Sequence, residues 1–165
     1  METIQLELKL INMKKNLLLI LVFFTYSSAS SCSCIGKITF KKEFRRSVVV
    51  VTGKVIGRKI IEIKDSLRPQ LKIQKVKYTI QVNRVYKGRI KNNLIEVTTG
   101  IGGGDCGFEF MIEKEYIIYC TYENKYYNWG DIVKKFLYTD ICSRTRLTSE
   151  DELKLLNKKC KNKFK

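Results

Sequence analysis

All six cysteines of the chain stand after residue 31, and the first two, in Cys32-Ser33-Cys34, follow directly on a hydrophobic leader. No other feature limits the fold as much, because an exported chain with an even number of cysteines is expected to be stapled by disulfides. Met13-Lys14-Lys15 is a short basic start, residues 17–24 form an unbroken apolar run, and Ala29-Ser30-Ser31 places small residues where a signal peptidase cuts. The apolar run is far short of the ~20 residues that a membrane-spanning helix needs, so residues 1–31 read as a removable signal peptide. Residues 1–12 add no recognisable signal, which leaves Met13 as an alternative translation start. The remainder, residues 32–165, is long enough for one domain whose core three disulfides would reinforce. Cysteine arithmetic alone leaves ~15 pairings open.

The net charge of +16 falls almost wholly on that remainder, since the leader sets Lys9, Lys14 and Lys15 against Glu2 and Glu7. Such a balance attracts polyanions. Lysine is nevertheless spread through every segment rather than gathered into a stripe, so a background compositional bias is the preferred reading and polyanion binding is expected to be weak.

The chain has no histidine. That removes the usual general base, the usual activator of a nucleophile and the commonest metal ligand. The carboxylates are scattered and never paired within apolar sequence. Gly102-Gly103-Gly104-Asp105 is followed by Cys106-Gly107-Phe108, not by the Lys-Ser/Thr and helix of a phosphate-cradling loop. An enzyme is not expected.

Periodicity after residue 31 is mostly that of strands. Residues 47–55 are β-branched and bounded by Gly53 and Gly57, and Val76, Tyr78, Ile80 and Val82 alternate with polar neighbours. Leu71 and Ile73 are out of phase with them, which predicts a bulge near Gln74-Lys75 in one long bent strand that follows a turn at Pro69. Residues 94–99 and 116–122 read as further strands, and residues 136–141 as a weaker one. Residues 38–46 read as a short basic helical turn. A final helix is expected to start at Thr148-Ser149, with Ser149 capping against Glu152 and with Leu153, Leu156 and Cys160 on its inner face. The expected fold is mainly β: a five-stranded barrel of the OB type with a packed C-terminal helix.

Taken in order, Cys32-Ser33-Cys34, Phe44-Arg45-Arg46-Ser47-Val48-Val49-Val50-Val51 leading to Gly57, Val85-Tyr86-Lys87-Gly88, Cys106-Gly107-Phe108 and Ile141-Cys142-Ser143 resemble the N-terminal domain of the tissue inhibitors of metalloproteinases, the TIMPs. The resemblance covers nearly all of residues 32–160. It implies the netrin-like form of the OB fold. It also implies a secreted protein that inhibits zinc metalloproteinases and has no cofactor of its own; a monomer is expected. The N-terminal cysteine of such an inhibitor brings its α-amine and carbonyl to the zinc of the target protease, a role that falls on Cys32. Ser33 would enter the pocket beside the metal, and a Cys32–Cys106 disulfide would set Gly103, Gly104 and Asp105 beside that terminus.

The resemblance further pairs Cys34 with Cys142. The family cysteine of the early helix falls at Arg45, so Cys160, which matches its usual partner, is left to Cys120. Ile35-Gly36 replaces a proline-containing stretch, Asp105 puts a carboxylate where an uncharged residue usually meets the protease, and the resemblance extends to no counterpart of the cysteine-rich second subdomain.

Other readings predict different chemistry. If a lipoprotein peptidase made the cut, Cys32 would be acylated and the protein held in a periplasm or envelope. A basic OB-type module would bind polyanions and inhibit nothing. Gly102 to Gly104 can be a plain turn between strands, and Tyr126, Tyr127 and Trp129 are expected to cover a barrel end.

Overall fold

The computed structural model describes residues 14–15, 32–34, 36, 38–64, 70, 72–102, 104–123 and 136–161. The chain divides into Met1–Ser31 and Cys32–Lys165. Of the first unit only Lys14 and Lys15 are described, both helical. The rest of the leader, the turn at Pro69, Leu71, Gly103 and the aromatic residues 126, 127 and 129 lie outside the described residues.

The second unit begins with a short helix, α1 (Phe40–Arg46), whose N-cap Thr39 accepts a hydrogen bond from the Lys42 amide. Ser47 ends it by donating both its amide and its hydroxyl to the Glu43 carbonyl. Among the described residues six strands follow: β1 (Val49–Lys64), β2 (Lys72–Lys87), β3 (Leu94–Thr99), β4 (Glu115–Glu123), β5 (Phe136–Tyr138) and β6 (Arg146–Leu147). The last element is α2 (Glu150–Lys161).

The sheet runs β1-β2-β3-β5-β4-β6, and a further β1–β4 pairing closes the first five strands into a ring. All pairings are antiparallel except β3 with β5. This mainly β ring with a C-terminal helix is the architecture expected from the strand pattern. Closure demands that β1 serve two neighbours. Gly53 pairs with Val82 on one side and Tyr116 on the other, and a Cβ there would meet the Gln81 carbonyl oxygen at 2.6 Å. Register shifts flank this point at Val50/Val51, Thr52/Gly53 and Val55/Gly57, which is how a strand bends around a barrel corner.

No bulge falls near Gln74-Lys75: the register shifts lie farther along the β1–β2 ladder, where Asn83 and Tyr86 of β2 and Ile56 of β1 are passed over in the pairing. From Ile60↔Val76 to Lys64↔Lys72 the ladder is regular. The phase changes for another reason: Ile73 and Lys75 share the opposite face from Val76, and there Lys75 is buried against Glu123 (3.3 Å) and the Tyr138 ring (5.1 Å).

Among the described residues two apolar clusters hold the fold. Inside the ring Val51, Val55, Tyr78, Ile80, Val97 and Ile118 pack with Phe110, which touches the rings of Phe108, Tyr116 and Tyr78 at centroid distances of 4.6 to 4.9 Å. Outside it, Phe44 of α1 and Leu156 of α2 cover Val50, Tyr86, Ile117 and Tyr119. Strand β4 is thus buried on both faces, which explains the apolar run from Tyr116 to Cys120.

That alternation corrects the third disulfide. Tyr116, Ile118 and Cys120 point into the barrel, whereas Ile117 and Tyr119 point out to the helices. Cys160 packs with the outer cluster, its Sγ 3.7 Å from the Tyr86 carbonyl oxygen. The sheet separates the two thiols, and both Cys120 and Cys160 are free. Native protein should give slow labelling of the half-buried Cys160 alone, and denatured, unreduced protein should give two labelled cysteines. Recovery of no free thiol after denaturation would restore a third bridge.

The last helix packs as expected, with Leu156 buried and Leu153 and Cys160 beside it. Its expected capping box is not made by Glu152. That carboxylate is 2% exposed and binds across to the barrel.

Candidate functional site

Three segments meet where β3 and β5 end. The first is Cys32-Ser33-Cys34, with Cys32 half-buried and Ser33 and Cys34 exposed. The second is the loop of residues 100–107, and the third is the turn of residues 139–145. Disulfides join the first segment to each of the others: Cys32–Cys106 with Cα atoms 5.4 Å apart, and Cys34–Cys142 with Cα atoms 5.3 Å apart. These are the two pairings that the family resemblance implied. The second and third segments are tied to each other as well, because the Ile141 amide donates to the Cys106 carbonyl at 3.0 Å.

In the loop Asp105 is exposed, and its carboxylate is turned onto the loop's own backbone. Its oxygens accept hydrogen bonds from the amides of Ile101 (2.7 Å), Gly102 (2.8 Å) and Gly107 (3.1 Å). Burial pushes the carboxyl pKa up, but the amides of Gly102, Ile101 and Gly107 outweigh it and leave the group below its ordinary value. Gly104 is exposed at a φ of 151°.

The turn is held from behind by side chains. The Thr139 hydroxyl lies 2.9 Å from that of Ser143 and 2.7 Å from that of Thr145, and the Thr145 hydroxyl accepts the buried Tyr119 amide at 3.0 Å. Asp140 Oδ1 accepts the Cys142 amide at 2.9 Å. Arg144 does most of the bridging. Its Nη1 donates to the Ile38 carbonyl at 3.1 Å, and its Nε and Nη2 grip both oxygens of Glu152 in a bidentate pair. The Tyr119 hydroxyl donates to the same carboxylate at 2.6 Å.

Burial raises the Glu152 pKa, but hydrogen bonds from Arg144 and Tyr119 and the Arg144 charge more than compensate and hold it below the usual carboxylate range. Burial and the carboxylate together push the Tyr119 phenol far up. Sequence reasoning missed Arg144, Glu152 and Tyr119 as supports of this region. Among the described residues no group of three or more His, Cys, Asp or Glu side chains is placed to hold a metal ion.

This geometry can present one short peptide, Cys32-Ser33-Cys34, fixed at both ends. Comparison with protein families matches the tissue inhibitor of metalloproteinase family over residues 30–158. The chain belongs to that family. A comparison with curated proteins gave no match. The TIMP match starts two residues before Cys32 and ends within α2, so it takes in the whole barrel and all three segments of the site. Membership supports a metalloproteinase-inhibitor function for a non-enzymatic protein, with a metalloproteinase as its partner class. TIMPs are secreted, and the two disulfides suit an extracellular protein. Of the expected contact residues, Cys32, Ser33, Cys34, Gly104, Asp105 and Cys106 fall in these linked segments, while Gly103 lies outside the described residues.

Proposed function

We propose that the mature protein begins at Cys32 and inhibits zinc metalloproteinases by carrying the free α-amine and the carbonyl oxygen of that residue to the zinc of the target enzyme. One observation carries this reading: Cys32-Ser33-Cys34 is clamped through both cysteines to two loops that are themselves bonded together. A clamped strand gives up little conformational entropy on binding. A neutral amine and a carbonyl oxygen are ordinary ligands for zinc, whose catalytic sites keep one position open for water, and an α-amine with a pKa of ~8 deprotonates at little cost. Ser33, exposed between the cysteines, enters the pocket next to the metal, and Gly104 and Asp105 lie along the same edge. The zinc belongs to the protease.

The Cys32–Cys106 bridge also favours this reading over lipid attachment, since the thiol that would be acylated is already bonded. Mass spectrometry of the secreted protein should find an N-terminal Cys32 with an unmodified amine, and that material should inhibit members of a panel of zinc metalloproteinases. In the same assay Ser33→Arg should weaken inhibition by amounts that differ from one protease to another, because the change acts through the pocket and leaves the metal ligands alone. An acylated or extended terminus, or no inhibition of any panel member, would sink the proposal.

A further inference from the structure

Five of the eight residues from 100 to 107 are glycine, and such a segment loses more freedom on ordering than any other composition would. On that ground alone it is a poor mount for the cysteine that holds Cys32. The structure supplies what the composition lacks. One carboxylate gathers the amides of Ile101 and Gly102 from the start of the loop and of Gly107 from its end. The glycines make room for this: a Cβ on Gly100 would run into the Asp105 carboxylate, and one on Gly107 into the Gly100 carbonyl. Between them Cys106 takes a φ of 58°, left-handed backbone that a side chain tolerates only when its surroundings impose it. The neck is closed by the Phe108 amide donating to the Thr99 hydroxyl at 2.7 Å.

We propose that Asp105 is the positioning residue of the inhibitory edge: its carboxylate folds the glycine loop around itself, sets the backbone of Cys106, and through the disulfide fixes the direction in which Cys32 points. This rests on the inhibitor reading above and adds to it an internal device that sequence position alone would assign to the protease contact. With three amides already on its oxygens, the carboxylate acts on the loop and not on the enzyme.

The test compares mature wild type with Asp105→Ala and Asp105→Asn. Oδ1 serves Gly102 and Gly107 while Oδ2 serves Ile101, so asparagine can keep two of the three bonds and should give an intermediate result. Both variants should retain the wild-type melting temperature to within a few degrees and both disulfides by peptide mapping. Amide exchange at residues 101, 102 and 107 should accelerate in Asp105→Ala, and its inhibition constants should rise about ten- to a hundred-fold, the cost of ordering the loop on binding.

The rise should be nearly the same for every protease in the panel, because a mount is lost rather than a contact. Unchanged exchange at the three amides overturns the proposal, as does faster exchange with unchanged inhibition. A loss that varies widely among proteases overturns it in favour of direct contact. If wild type inhibits no protease, the inhibitor reading falls and this role with it, yet faster exchange in Asp105→Ala would still show the carboxylate as the anchor of the loop.

Discussion

Adding a single alanine before Cys32 should abolish inhibition of zinc metalloproteinases while leaving the barrel and both disulfides as they are. The two ligand atoms assigned to zinc belong to one residue, and the α-amine exists as a ligand only when nothing precedes it. Extension turns that nitrogen into an amide, whose lone pair is delocalised and does not bind zinc at neutral pH, and moves the new free amine past the metal. Acetylation of Cys32 should do the same and add bulk in a space sized for water.

The loss should exceed a thousand-fold, since the metal bond goes and the added atoms hold the edge away from the pocket; about 4 kcal/mol corresponds to that factor. Inhibition by wild type should weaken as pH falls below ~7, because an amine with an ordinary pKa of ~8 must shed its proton before it can bind. Inhibition constants for wild type and the extended form decide the matter. Equal inhibition by both would rule out chelation through the terminus.

The fold could be read from the chain where burial is one-sided and could not where it is two-sided. Val76, Tyr78 and Ile80 alternate with polar residues because along this stretch of β2 only one face is fully buried, so their strand was visible. In β4 both faces are covered, the sequence from Tyr116 to Cys120 is apolar throughout, and nothing local tells which side Cys120 takes. Its proposed bridge to Cys160 failed on that missing parity. Glu152 failed for a related reason. Three residues after Ser149 it fits a local capping pattern, while its real partners, Tyr119 and Arg144, come from the barrel and from the turn after Cys142.

At the site, the two bridges from Cys32 and Cys34 came from family resemblance and not from spacing, which left every pairing open. Asp105 was read only as a protease contact, because a side chain that binds its own loop leaves no periodic trace. Arg144 lies with Arg146 in a short polar run before the last helix, where a cation reads as solvated.

Arg144→Ala should be among the most destabilising single changes in the protein. Glu152 is 3% exposed at its side chain and Arg144 18%, so the pair is largely out of water. Removing one partner leaves a buried carboxylate with only the Tyr119 hydroxyl. Breaking such a pair costs about 3–5 kcal/mol, and for a domain of this size that is a fall of about 10–20 °C in melting temperature. Replacing both charges together, as in Arg144→Met with Glu152→Leu, should cost less than Arg144→Ala alone. No charge is then stranded, and the main loss is the acceptor of the Tyr119 hydroxyl.

The pH dependence should change sign between wild type and Arg144→Ala. In wild type the Glu152 pKa is lowered, so the unfolded state binds the proton more readily. The pair's contribution is full above the unfolded value of ~4.3 and is lost as pH falls through the lower folded value. In Arg144→Ala burial acts without its counterweight, the folded pKa rises above the unfolded one, and acidification relieves the stranded charge. The variant should therefore gain stability as pH falls from about 7 to about 5, an interval over which this group leaves wild type unchanged. Thermal unfolding of the two proteins across that interval reads the difference directly.

The same substitution removes the donor to the Ile38 carbonyl, four residues after Cys34, so inhibition should weaken at temperatures where the variant is still folded. A melting temperature and pH slope equal to wild type would mean that the Arg144–Glu152 pair does not fasten the last helix to the barrel.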